Sequence, residues 1–169
     1  MQFLGPFHPQ ITHVPIVLII VSLAFEIVGR LFDRDWLRKA ALTMLVLGVA
    51  AAWLAVRSGH AAEHLIHKQG VDHEAIDAHE EMANLAWWFG LAAVAAYALA
   101  ARLAPVRGVL VAIGLLCHLA ASVAVGVAAH RGGQLVFEHG AAVSLHGQPL
   151  QEGPPRERGA GRDEGGRKE

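Results

Sequence analysis

The sequence predicts an all-α fold: a four-transmembrane-helix bundle with an outer-side helical hairpin tip and a disordered C-terminal tail. Three observations carry this expectation. Of 169 residues, 54% are hydrophobic and 17% charged, with mean hydropathy +0.38, whereas soluble domains carry about 25% charged residues. The last 23 residues hold 10 of the 29 charges, so the body is more apolar than its average. Four stretches also reach the roughly 17 to 20 apolar residues that a helix needs to cross a hydrocarbon core of about 30 Å.

The first span covers about 11–32, and Val14 to Phe25 within it carries no charge. The second, about 38–60, contains the uncharged run Ala40 to Val56; the third, about 80–103, contains Leu85 to Ala101. The fourth, about 108–130, contains the run Gly108 to Ala129, interrupted only by His118 and Ser122. A soluble bundle helix has an apolar stripe and a charged opposite face, but these segments are apolar all round. Residues 1–146 thus form one membrane domain, and 147–169, rich in glycine and proline with balanced charge, form a disordered polar tail. Met1 to Gln10 has no Lys or Arg, so the basic region of a cleavable signal peptide is missing and the first span is expected to stay.

Sidedness follows from the basic residues. Arg30, Arg34, Arg38, Lys39, Arg102 and Arg107 lie on connectors one and three; Arg57, Lys68 and Arg131 lie on the other side. Lys and Arg near short loops are retained in the cytoplasm, so both termini and the middle connector are expected outside. Ten of the eleven histidines then share that outer side, and only His118 lies deep. A net charge of −1 provides no broad basic face, which excludes nucleic acid as a partner. Cys117 is the sole cysteine and forms no internal disulfide.

Between spans two and three, Gly70 is suited to end one helix and Asp72 to cap the next. His60, Glu63, His64 and His67 fall at i, i+3, i+4 and i+7, one face of a helix. Antiparallel pairing across the hairpin sets His60 beside Glu80 and Glu81, and His64 beside Asp77. Imidazole and carboxylate ligands suit zinc, iron or copper. His60 to His64 also matches the His-x-x-Glu-His pattern of inverted zinc proteases, a weak signal in a histidine-rich stretch; the plain alternative is a solvated helix end. His13, at the outer mouth of span one, is either part of the outer cluster with His79 and His139 or an interfacial side chain bonded to loop carbonyls.

His118 falls in a row with Gly114, Ser122, Gly126 and His130, the small and polar pattern that packs membrane helices together. It is a candidate axial ligand of haem b, with Met44 the sole partner at similar depth, or else an interhelical hydrogen bond. Glu26 has Arg30 four residues on, an ion pair near the cytoplasmic edge. Trp36, Trp53, Trp87 and Trp88 suit the two interfacial belts. Gly132 and Gly133 are expected to break span four, with the following segment lying at the interface.

Several segments together resemble a family of small bacterial four-span membrane proteins, domain of unknown function 2231. The resemblance rests on His8-Pro9-x-x-x-His13-x-Pro15-Ile16, Ser58-Gly59-x-x-Ala62-Glu63-His64, Ala78-His79-Glu80-Glu81 and Gly132-Gly133-x-Leu135-Val136-Phe137-x-His139-Gly140-x-x-Val143, covering residues 3 to 145. It implies a bacterial inner-membrane protein of no established catalytic activity, with His8, His13, His79 and His139 at motif positions. His60 and His67 depart from the family pattern, which weakens the protease-like reading. The expectation is therefore a metal or haem b site of His13, His79 and His139, assisted by Glu80, Glu63 and His64, for redox or metal handling. The competing classes are a non-catalytic membrane subunit or scaffold and a pH-responsive protein. The partners expected are the lipid bilayer and either a membrane redox partner or a second copy of the chain.

Overall fold

The structure is a computed structural model describing residues 2–66, 73–138, 140–141, 144–145 and 148–149. A 3-10 segment, Gln2–Phe7, leads into α1 (His8–Leu31), followed by α2 (Asp35–Ile66), α3 (His73–Arg102) and α4 (Arg107–Phe137). All four helices are long and apolar enough to cross a membrane. The hairpin tip around Gly70 and most of the tail lie outside the described residues. Beyond α4 the described residues include one minimal antiparallel pairing, Ser144 with Pro149 and Leu145 with Gln148.

Helix α1 packs along α2 and α3 along α4, and contacts of α2 with α3 and of α1 with α4 close the ring. Pro9 sits in the first turn of α1, where its missing N–H costs nothing. The link to α2 is short because Asp33 adopts φ 48°, a left-handed conformation that Asp tolerates. The core contains Ile19, Leu45, Val49, Ala93, Tyr97, Ala121 and Val125. Leu31, Val109 and Leu116 point outward and suit lipid contact.

Without water between helices to expel, packing rests on close van der Waals approach, which small residues permit. A methyl group at Gly90 would stand 2.8 Å from Val49, and one at Gly114 only 2.6 Å from the Tyr97 ring. The row expected on α4 is only partly a packing row. Gly114 and His118 face inward, but Gly126 and His130 are exposed, and Ala121, Ala124, Val125 and Ala128 take over the buried face. Steps of four residues on a helix of 3.6 per turn drift about 40° each and leave the face within a few turns.

Gly132 and Gly133 do not break α4, which continues through both to Phe137. Leu135, one turn beyond, is buried against Ile76 of α3, so the last turns are held by packing rather than by glycine's own weak helical preference. The helix is left at Gly140, whose φ of 63° turns the chain back so that the Ala141 N–H reaches the Leu135 carbonyl at 2.8 Å. Only glycine takes that conformation without a Cβ penalty.

Candidate functional site

The starts of α1 and α3 and the ends of α2 and α4 meet at one end of the bundle. There His8 of α1 lies with its ring over Gly59 of α2. A methyl group at Gly59 would be 3.2 Å from His8 Cε1. Ser58 beside it is fully buried, and its hydroxyl donates to the Ala55 carbonyl at 2.8 Å. Its oxygen therefore accepts from His8 Nδ1–H, at 2.9 Å.

His79 of α3 is seated in the same way on α4. A methyl group at Gly132 would stand 3.1 Å from His79 Cε1. With no side chain there, the Ala128 carbonyl one turn earlier is accessible, and His79 Nδ1 donates to it at 2.9 Å. The two rings meet edge to face, 6.2 Å between centroids and 82° between planes. A carbonyl only accepts, so His79 carries its proton on Nδ1. Each ring is thus held through Nδ1, and Nε2 is left as the nitrogen with a lone pair, the arrangement in which histidine binds metals.

Further bonds tie this end across the helices. His60 of α2 pairs with Glu80 of α3, as antiparallel pairing of the hairpin anticipates. Arg131 of α4 donates to the Ala78 carbonyl of α3. His13 is exposed, and its Nδ1 donates to the Pro9 carbonyl of its own helix at 2.7 Å. Glu63 is half-buried at the same end. The side chain of His64, and all of His139, lie outside the described residues. Among the described residues, no three His, Cys, Asp or Glu side chains form a group able to hold a metal ion.

Pro9, Pro15, Gly132, Gly133 and Gly140 all fall on elements that shape this end: the first turns of α1, the glycine seat of His79 and the exit of α4. Comparison with known proteins gives a match over residues 5–145 to the model of a family described as predicted membrane protein (DUF2231). The chain belongs to this family. No curated protein and no solved structure matches it. The family is one of integral membrane proteins without an assigned activity, and its matched region contains both seated histidines and all four helices.

Deeper in the bundle, His118 is fully buried. Its Nε2 donates to Ser22 Oγ of α1 at 2.9 Å and to the Ile19 carbonyl at 3.2 Å, while the Ser22 hydroxyl is committed to that same carbonyl. This is the interhelical hydrogen bond among the two roles expected of it. Glu26 is buried and paired with Arg30. The Arg30 guanidinium lies 5.8 Å from the centre of the Tyr97 ring. Residue patterns missed Tyr97 and the acceptors of the histidines, Ser58 and Ala128. The usable signal was each glycine's position relative to an acceptor: Ser58-Gly59 in sequence, and Ala128 one turn before Gly132.

Proposed function

We propose that this membrane protein holds one zinc, iron or copper ion at the histidine end of its bundle, for redox or metal handling. The observation that carries the reading is the paired seating of His8 and His79: both rings are fixed through Nδ1, and both Nε2 atoms are left to bind. Metal–nitrogen bonds of about 2.0–2.1 Å place two imidazoles on one ion with their centres roughly 5 to 6 Å apart, close to the 6.2 Å between these rings. Sequence position adds His139 as the third ligand, with Glu80, Glu63, His64 and His13 as the remaining candidates. Haem b fits less well, because a porphyrin bound by two imidazoles must stand between rings that here meet edge to face. The bacterial inner membrane, with this end outside, is the location the basic connectors favour.

The test is metal analysis by mass spectrometry on detergent-purified protein, with visible spectra before and after dithionite. One ion per chain is expected, lost in His8→Ala/His79→Ala. Ser58→Ala, which removes only the acceptor holding His8, is expected to weaken the metal about 10- to 100-fold. Absence of stoichiometric metal, or full retention in the double variant, overturns the reading. The first result leaves the competing class, a non-catalytic membrane subunit whose polar end ties the helices through His60–Glu80 and Arg131–Ala78. A Soret band would establish haem instead.

A further inference from the structure

A second feature lies on the membrane-facing side of the bundle, away from the histidines. The seam between α2 and α3 opens into a groove of about 340 Å³ lined by Val46, Val49, Trp53, Trp87, Leu91 and Val94. From Val46 to Trp53 the groove follows seven residues of helix, about 10 Å, which keeps it within a single leaflet of roughly 15 Å. Its upper end, toward His8 and His79, is marked by Trp53 and Trp87, the residue type that settles at headgroup level. One turn beyond Trp53, the exposed Arg57 places its guanidinium 6.0 Å from the Trp53 ring centre. Among the described residues no carboxylate pairs with Arg57. An apolar slot thus leads up to a cation that has no carboxylate partner among the described residues and carries a planar set of donors, the group that binds phosphate oxygens two at a time.

We propose that the groove is a phospholipid site, in which one acyl chain lies between α2 and α3 and the phosphodiester is bound by Arg57. Charge complementarity selects the occupant: a hydrocarbon chain alone satisfies the slot, but only a lipid with a phosphate also satisfies Arg57. The site is separate from the metal reading, since neither groove nor Arg57 contributes to the His8–His79 pair.

Native mass spectrometry of the full chain, released from mild detergent with added phosphatidylglycerol or diacylglycerol, tests this. A one-to-one phosphatidylglycerol adduct is expected, with diacylglycerol retained far less. Arg57→Gln should reduce the adduct about tenfold, the loss of one charge-assisted pair of hydrogen bonds. Ala50→Phe, which fills the groove from its exposed rim, should abolish it while leaving the helical circular dichroism unchanged. Equal retention of both lipids, or wild-type binding by Arg57→Gln, overturns the phosphate assignment. Wild-type binding by a folded Ala50→Phe overturns the groove. A protein dimer that excludes the lipid would make the seam a self-association surface and overturn the proposal as well.

Discussion

Replacing Gly132 by alanine tests the seating of His79, and Gly133 beside it supplies the control. In a helix either change gains about 1 kcal/mol of intrinsic preference. At Gly133 the new methyl group meets nothing within 4 Å, so Gly133→Ala should leave stability unchanged or raise it by up to about 1 kcal/mol. At Gly132 the methyl group would stand 3.1 Å from His79 Cε1 and 3.4 Å from Nδ1, the atom bonded to the Ala128 carbonyl at 2.9 Å. Relieving those contacts moves the ring off the carbonyl by a few tenths of an ångström or more. A buried donor that loses its acceptor costs about 1–3 kcal/mol. Gly132→Ala should therefore lie about 1–3 kcal/mol below Gly133→Ala, on the same cost. Unfolding by dodecyl sulfate in mixed micelles, followed by circular dichroism, reads the difference. In a His79→Ala background the gap should close, because the two positions are then no longer coupled. Two equally tolerated alanines, or a gap that survives His79→Ala, would refute the seating argument.

Three other outcomes follow from the same geometry. Gly114→Ala drives a methyl group to 2.6 Å from the Tyr97 ring, and overpacking of this kind should lower stability by about 1–3 kcal/mol in the same titration. Ser22→Ala removes the hydroxyl nearest His118 Nε2 but leaves the Ile19 carbonyl at 3.2 Å; a loss of about 1 kcal/mol is expected, and a loss several times larger would mean that the carbonyl does not serve. Glu80→Gln removes the carboxylate from the His60–Glu80 hydrogen bond, whose side chains are 45% and 33% exposed. Thermal unfolding in detergent should therefore show a change of under about 1 kcal/mol.

The sequence alone determined the architecture because its main terms are local and additive. Four apolar runs of spanning length, exposed Trp36, Trp53 and Trp88, and the gathering of histidines at one end required no knowledge of which helix touches which. The resemblance resting on the motifs around His8, Ser58, His79 and Gly132 likewise agrees with the family match over residues 5–145. The Glu26–Arg30 pair, four residues apart on one helix, was legible for the same local reason.

What only the tertiary structure decided is the partner of each polar side chain. His8 and His79 are separated in sequence by the rest of α1, all of α2 and the first turns of α3, and their rings meet because α1 and α3 start at the same end. His13, only five residues from His8, bonds its own helix instead. A helix turns 100° per residue, so adjacent motif positions face different neighbours, and only packing selects which of them enters the bundle. The glycines at 59 and 132 read in sequence as family marks and helix breakers. In the folded chain each is the space an imidazole occupies, because an absent side chain has meaning only when another helix fills it.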